Sequence, residues 1–190
     1  MKTKNYYLKE IEPSDINSIH QGLSNADVTK YYDVHYKSLE ETKVQMEWFA
    51  KLKEEGTGLW WGVFDKETHV FCGAGGYNDL NKKDRRAEIG FWLLPEYWGK
   101  EILKEVAPKL LELGFTTLNL NRVEAYVEHE NIKCKNALKK INLVHEGTMR
   151  AYEIKEGKEI DLEIYAVLRR DWESLRIVKK HTNDGKVRER

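Results

Sequence analysis

Residues 87–105 read AEIGFWLLPEYWGKEILKE, and this stretch decides the fold. Its first half, Ala87 to Leu94, is an apolar run typical of a buried strand, and Pro95 ends that run. Apolar residues then recur at helical spacing, so we predict a long helix that begins near Gly99. A turn before a helix presents unbonded backbone N–H groups in the positive field of the helix dipole. The pattern predicts a phosphate or pyrophosphate site at this turn, but on its own it is weak evidence, because many such turns bind nothing.

Strand-like runs on both sides of this stretch predict a sheet. Strands come first and a strand–helix–strand crossover follows, which favours an α+β (mixed α/β) fold with a mixed sheet and helices on both of its faces. The predicted strands are Tyr6–Ile11, Leu59–Phe64, Val70–Tyr77, Ala87–Leu94, Arg122–Val127, Val144–Tyr152 and Ile160–Leu168.

Four further helices are predicted. The first is short and follows Pro13-Ser14-Asp15, with an apolar face of Ile16, Ile19, Gly22 and Leu23. The second begins at Ser38, because Glu41 follows at the spacing of a capping box, and its inner face is predicted to carry Val44, Trp48 and Leu52, with Met46 and Phe49 beside them. A shorter helix covers Asn131–Lys140, and Asp171 is predicted to cap a last short helix.

Length and charge narrow the functional classes. The chain has 190 residues, and we expect one domain over 1–175 followed by a polar, basic tail over 176–190. Its 32 Lys and Arg residues balance 32 Asp and Glu residues, so no global field favours nucleic acid, and we expect no direct nucleic-acid partner. The two cysteines predict neither a disulfide framework nor a metal site. We find no secretory signal and no apolar run long enough to span a membrane, and we expect a cytoplasmic protein.

Several ordered motifs resemble one family. Leu94-Pro95-Glu96-Tyr97-Trp98-Gly99-Lys100-Glu101-Ile102 resembles the acetyl-CoA-binding motif of the GCN5-related N-acetyltransferase (GNAT) superfamily, in its RimJ/RimL-like branch. Asn119–Ala125 and Asn131–Gly147 resemble the strand and helix that follow in that branch. The resemblance implies the GNAT fold, a central and mostly antiparallel sheet of about seven strands with a splayed parallel pair. It also implies acetyl-CoA as co-substrate, with no metal.

The resemblance also implies which residues meet the coenzyme. The pantetheine arm would pair with the strand at Phe91–Leu94, and an N–H near Leu93 or Leu94 would bind the thioester carbonyl. Glu101 departs from the family, which has glycine there. Its carboxylate either turns outward or weakens coenzyme binding by repelling the pyrophosphate. The implied coenzyme-binding residues are Phe91, Leu93, Leu94, Trp98, Gly99, Lys100, Glu101, Ile102, Asn131 and Cys134.

The implied mechanism is direct attack of an amine on the thioester, assisted by a general base. Glu88 is the candidate base. An equal alternative is that Glu88 is simply a solvated or salt-bridged carboxylate without a catalytic role. Glu128 and His129 are the reserve candidates for the base. Cys134 stands where RimL-like enzymes have a serine that protonates the leaving thiolate. It is either that proton donor or a small buried residue that touches the coenzyme.

The sequence gives few signals of where the amine that accepts the acetyl group binds. Tyr31, Tyr77, Asn78 and Tyr152 are predicted to form its walls, and an aromatic cluster of Tyr31, Tyr32, His35 and Tyr36 either meets the acceptor or covers the core. The branch implies the α-amine of a protein N-terminus, for example of a ribosomal protein. A polyamine, an antibiotic or an amino acid is also possible as the acceptor. Two other functions stay open: a non-catalytic CoA-binding module, and an RNA-associated protein that uses its basic tail. The resemblance also allows a homodimer.

Overall fold

A seven-stranded sheet in the order β1-β2-β3-β4-β5-β7-β6 forms the middle of the computed structural model, which describes residues 1–177. All neighbouring strands are antiparallel except β4 and β5, which are parallel. This confirms the predicted mostly antiparallel sheet with one parallel pair. The strands are β1 (Tyr6–Glu10), β2 (Leu59–Asp65), β3 (Phe71–Asn81), β4 (Arg86–Leu93), β5 (Arg122–Glu128), β6 (Val144–Lys155) and β7 (Lys158–Leu168).

Six helices flank the sheet in the described part of the chain. Both ends of α3 are capped: the Ser38 side chain accepts the Glu41 N–H at its start, as predicted, and Gly56 ends it with a φ of 65°. The last helix begins two residues before Asp171, the predicted cap, and includes 176 and 177; the rest of the predicted tail lies outside the described residues. The helices are α1 (Ile16–Leu23), α2 (Ala26–Thr29), α3 (Leu39–Glu55), α4 (Ile102–Thr116), α5 (Ile132–Lys140) and α6 (169–177).

The buried face of α3 differs from the predicted one. Val44 is 61% exposed, and the face toward the sheet carries the polar residues Thr42 and Gln45 together with the predicted Phe49. The two polar residues are satisfied there, because Thr42 bonds the Ser38 carbonyl and Gln45 accepts a hydrogen bond from the Tyr36 hydroxyl. Hydrogen-bonded polar groups are readily buried, and hydrophobic spacing alone does not identify them.

Two apolar clusters pack against opposite faces of the sheet. One joins the sheet to α4 and the end of α5 through residues such as Val106, Leu110 and Leu138. The other joins it to α1, α2 and α3 through residues such as Ile19 and Phe49. The sheet therefore lies between two helical layers, as the alternation of element types predicts.

The parallel pair separates part-way along its length. Arg86, Ala87 and Glu88 of β4 pair with Arg122, Val123 and Glu124 of β5, and the pairing stops there although both strands continue. Below the separation, the buried Glu124 accepts hydrogen bonds from Arg86 at 2.9 Å and from Arg122 at 2.6 Å. This ion-pair cluster holds the paired ends of the two strands together and leaves a gap beyond them.

Strand β3 corrects two sequence-based expectations. It extends to Asn81, beyond the predicted turn at Asn78, because pairing with β4 resumes at Arg86 after an irregularity. Tyr77 does not reach an acceptor site. Its side chain is 0% exposed in the cluster under α4, and its hydroxyl donates to the Leu110 carbonyl at 2.7 Å.

Replacing Tyr77 with Phe removes that buried hydrogen bond and keeps the ring. We expect the free energy of unfolding to fall by about 1 kcal/mol, the usual net value of one such bond. Urea unfolding measures this change, with Tyr7→Phe as the control, a half-buried tyrosine whose hydroxyl lies 3.3 Å from His69 in an exposed contact. The control should cost less than about 0.5 kcal/mol. An equal loss in both variants would contradict a structural role for the Tyr77 hydroxyl.

Candidate active site

The edge of β4 that faces the gap exposes backbone groups. Leu94 donates its N–H to the Cys72 carbonyl on the β3 side. Because N–H and C=O directions alternate along a strand, the groups of Phe91 and Leu93 point the other way, into the gap. Both of their carbonyls accept side-chain hydrogen bonds, Phe91 from the Tyr32 hydroxyl and Leu93 from the Trp98 indole, each at 2.8 Å. The N–H groups of Phe91 and Leu93 thus face the space that β5 has left.

This alternation corrects one candidate. Leu94 was an expected donor to the thioester carbonyl, but its N–H is already bonded across the sheet. The backbone N–H of Leu93, the other expected donor, does point into the gap, and the N–H of Phe91 is a second donor with the same direction.

The turn between β4 and α4 has the backbone of an anion site. Gly99 has a φ of 77°, and a Cβ added to it would meet nothing within 4 Å, so the turn is open on that side. Glu101 caps α4 in the left-handed region with a φ of 59°, a conformation that glycine adopts more easily. Its side chain turns outward, and its carboxylate forms an ion pair with Lys104, which lowers its pKa. The outward alternative is therefore the observed one, and α4 begins at Ile102 rather than at Gly99.

Helix α5 approaches the same gap from the β5 side. Asn131 caps it by accepting the Cys134 N–H at 3.1 Å, so this side chain has a structural role without any ligand. Burial raises the pKa of the Cys134 thiol to about 12, which keeps the thiol protonated. Lys133 lies 4.4 Å from the centre of the Trp98 ring, and Lys100 stacks over Tyr97. Lysine side chains thus flank the turn from α5 and from the turn itself.

A cavity of about 770 Å³ opens beside the separated strands. Its side chains come from five strands and from the segments after α2 and α3, and four of them are carboxylates. Arg86, the only arginine or lysine among them, is already paired with Glu124. The lining residues are Asp33, Thr57, Asp79, Leu80, Asn81, Arg86, Glu88, Tyr126, Tyr152, Glu153 and Leu162.

Glu88 is the most perturbed carboxyl of this cavity. Burial, and to a smaller extent the nearby charges of Asp79, Glu124 and Glu153, raise its pKa to about 7. A carboxyl with a pKa near 7 exchanges protons readily at neutral pH, as a general base must. No salt bridge to Glu88 is present among the described residues, so the salt-bridged alternative is not the observed one.

The other predicted residues are dispersed. Tyr152 lines the cavity with Glu88, but the Tyr31 hydroxyl lies 3.4 Å from the Glu130 carbonyl and Asn78 accepts a hydrogen bond from the Trp60 indole. The reserve bases have other partners: Glu128 forms an ion pair with Lys155, and Nδ1 of His129 lies 2.7 Å from a carboxylate oxygen of Glu163. Of the aromatic cluster, Tyr36 packs against the core below α3.

Three acidic residues of the cavity escaped the sequence analysis. Asp33, Asp79 and Glu153 come from three separate segments that only the folded sheet brings together. For Asp79 the sequence offers one weak signal of a functional role: it is a carboxylate two positions beyond the strand that was predicted to end at Tyr77. The other two carry none.

The helices of the described residues are too short or too polar to cross a membrane.

Comparison with known proteins agrees with this geometry. The family model for the acetyltransferase (GNAT) domain matches residues 6–144. Uncharacterized N-acetyltransferase YoaA of Bacillus subtilis (strain 168) is 32% identical over 170 residues, which cover 89% of this chain and 96% of YoaA.

Solved structures show the same fold. The spermidine N-acetyltransferase from Vibrio cholerae, in complex with CoA and spermine, has a TM-score of 0.79 and 23% identity, over 88% of this chain and 98% of that chain. The ribosomal-protein-S5-alanine acetyltransferase from Vibrio fischeri has a TM-score of 0.79 and 21% identity, over 90% of this chain and 97% of that chain.

The family model covers most of the chain, and YoaA matches it along nearly its full length. This chain therefore belongs to the GNAT acetyltransferase family, has relatives of the RimJ/RimL-like kind, and is an N-acetyltransferase.

Proposed function

We propose that the protein transfers the acetyl group of acetyl-CoA to a cationic amine by direct attack, with Glu88 as the general base. One observation carries the proposal: β4 separates from β5 after Glu88. The unpaired edge of β4 therefore lies next to the Glu88 carboxyl, whose pKa is raised. The pantetheine arm pairs with the N–H groups of Phe91 and Leu93 as an added strand would. The pyrophosphate lies on the turn at Gly99 and on the first N–H groups of α4, where the helix dipole favours an anion.

The reacting carbonyl is best placed at Phe91. Residues of a strand rise by about 3.3 Å each, so Phe91 lies about 10 Å along β4 from Glu88, and Leu93 lies about 17 Å away. Phe91 is the nearer of the two donors, so the Glu88 side chain and bound water have the shorter distance to span to the amine proton. The N–H of Phe91 then stabilises the oxyanion of the tetrahedral intermediate.

The proton inventory follows from the ordinary pKa of an amine. An alkyl ammonium is protonated at neutral pH, so it must lose one proton to solvent before it attacks and a second one as the amide forms. The ionised Glu88 takes up a proton as the nitrogen bonds to the carbonyl carbon, and its raised pKa makes it a stronger base than an exposed glutamate. Holding the amine and the thioester together contributes most of the remaining acceleration.

The cavity favours an acceptor with more than one positive charge. Its carboxylates outnumber its cations, even after Lys155 pairs with Asp33 at 2.8 Å. A polyamine satisfies this field better than a neutral or acidic amine, and the name of the Vibrio cholerae relative, a spermidine N-acetyltransferase, fits that class. The α-amine of a protein N-terminus is the second candidate, supported by the Vibrio fischeri relative, whose name gives a ribosomal protein as its substrate.

The free thiols Cys72 and Cys134 fit a reducing compartment, and we place the enzyme in the cytoplasm as part of this proposal. A homodimer stays a prediction of the resemblance.

Replacing Glu88 with Gln tests the base. We expect kcat/KM of the parent to rise with pH as the carboxyl ionises, with a midpoint at about pH 7, and we call this rise the pH limb. The variant should show no pH limb, and its kcat/KM should be about 100-fold lower than that of the parent. Thiol release from acetyl-CoA with a panel of di- and polyamines measures both. The raised pKa means that ionised Glu88 costs the folded state free energy above pH 7, so at pH 8 the variant should not melt below the parent.

Glu128→Gln accompanies this variant as the rival base. If Glu128→Gln loses the limb and Glu88→Gln keeps it, the assignment of Glu88 is wrong. If no amine in the panel releases thiol, the proposed acceptor class fails.

Replacing Asp79 with Asn tests the acidic cavity. We expect KM for a diamine to rise about fivefold, because one charge pair at close range is worth about 1 kcal/mol even in water, while KM for a monoamine of equal length changes less. The midpoint of the pH limb should also fall, because the Asp79 charge contributes to raising the Glu88 pKa. Glu67→Gln, on the exposed turn between β2 and β3, is the matched control. Equal changes for both amines would contradict recognition of a second positive charge.

A further inference from the structure

A short segment after α2 crosses the gap between the separated strands. We call Tyr31, Tyr32 and Asp33 the strap. The Tyr32 hydroxyl donates to the Phe91 carbonyl of β4 at 2.8 Å, and Asp33 pairs with Lys155 of β6 at 2.8 Å. Tyr31 adds a long contact of 3.4 Å to the carbonyl of Glu130, just beyond β5. The strap is thus attached on both sides of the gap.

The strap places one hydroxyl at the proposed reaction centre. Phe91 is the residue whose N–H is assigned to the oxyanion, and the Tyr32 oxygen lies on the carbonyl of that same residue. Tyr32 is close enough to Cys134 and to Glu88 for both groups to add to the rise of its pKa, which burial raises most. The hydroxyl therefore lies among the proposed base, the oxyanion donor and the residue at the family's serine position. Part of its side chain, 38% of its surface, stays open toward solvent.

A hydroxyl in this place suits the departing sulfur better than the Cys134 thiol does. An S–H group is a weak hydrogen-bond donor, whereas a phenol O–H is an ordinary donor whose hydrogen rotates to suit its acceptor. The raised pKa keeps the phenol protonated over the working pH range. Hydrogen bonds to an anion are about twice as strong as neutral ones, so such a donor stabilises a thiolate more than the thioester it came from.

We propose that Tyr32 is a catalytic residue of the acetyl transfer, whose hydroxyl, held in the gap by the strap, turns its one hydrogen from the Phe91 carbonyl to the coenzyme sulfur as the carbon–sulfur bond breaks. This inference rests on the proposed function of the site. The ammonium group first loses one proton to solvent, and the neutral nitrogen then bonds to the carbonyl carbon while a second proton passes to Glu88. The tetrahedral intermediate then expels the sulfur with its electron pair as a thiolate, which Tyr32 stabilises without giving up its proton. Glu88 later releases its proton to solvent, where the free thiolate takes one up.

Tyr32→Phe removes only the donor and tests the step. We expect kcat to fall at least tenfold, with KM for acetyl-CoA within about twofold of the parent, because the hydrogen bond to sulfur forms as the thiolate develops. Tyr36→Phe is the matched control. It lies in the same connecting segment, and its hydroxyl bonds Gln45 below α3, away from the gap. This control should keep the parental kcat.

A second readout separates chemistry from structure. Coenzyme A bound to the enzyme is titrated by its thiolate absorbance in the ultraviolet, with the coenzyme-free protein subtracted. Cys72 and Cys134 do not interfere near neutral pH, because burial raises the pKa of both thiols. A donor on the sulfur lowers the midpoint in the parent, so we expect the midpoint in Tyr32→Phe to be about one pH unit higher.

The outcomes are distinct. A parental kcat in Tyr32→Phe, or an unchanged thiol midpoint, overturns the assignment of Tyr32 while leaving the proposed function intact. An equal loss of kcat in Tyr36→Phe assigns the effect to the packing of the segment and also overturns it. A parent protein that shows no thermal stabilisation by coenzyme A contradicts the proposed function itself, and the Tyr32 assignment falls with it.

Discussion

The end of pairing between β4 and β5 is the constraint on which the site depends. Backbone N–H and C=O groups must be satisfied, and an interior strand normally satisfies them on both edges. Beyond Glu88, β4 has a partner on the β3 side only, and the protein supplies Tyr32 and Trp98 for the two carbonyls on the other side. The remaining N–H groups of Phe91 and Leu93 are the natural partners of an extended ligand. The Arg86–Glu124–Arg122 cluster, which ties the paired ends together, sets where this opening starts.

Charge is distributed unevenly around this opening. Lysines 100 and 133 lie on the side of the turn before α4, and Glu101, whose carboxylate a phosphate would repel, is turned away and neutralised by Lys104. On the cavity side the excess is acidic, and there the burial of Glu88 raises its pKa toward neutrality. Under the proposed function, an anionic coenzyme and a cationic amine would each be drawn to their own side of the same strand edge. This separation would orient the two substrates before any bond forms.

Features encoded locally were predictable from the sequence. The apolar run of β4, the caps of α3 and the turn at Gly99 each follow from a few adjacent residues, and the order of the elements fixed the class of fold. The motif around Gly99 pointed to the family, and Glu88, the candidate base on the strand before that motif, proved to line the cavity. What could not be predicted depends on contacts between distant segments. The exposure of Val44, the burial of Tyr77 against Leu110, the bond from Leu94 to Cys72 and the meeting of Asp33, Asp79 and Glu153 all depend on register and on long-range packing. Tyr32 belongs to the same group, because nothing in its local sequence indicates that it reaches Phe91.

Amide hydrogen exchange with and without coenzyme A tests the strand-edge site most directly. If the coenzyme pairs with β4, the amides of Phe91 and Leu93 should exchange much more slowly in its presence. The amide of Leu94, which already donates to Cys72, should be protected in both states. Unchanged exchange at Phe91 and Leu93 in a protein that binds the coenzyme would show that the coenzyme lies elsewhere, and would contradict this assignment of the gap.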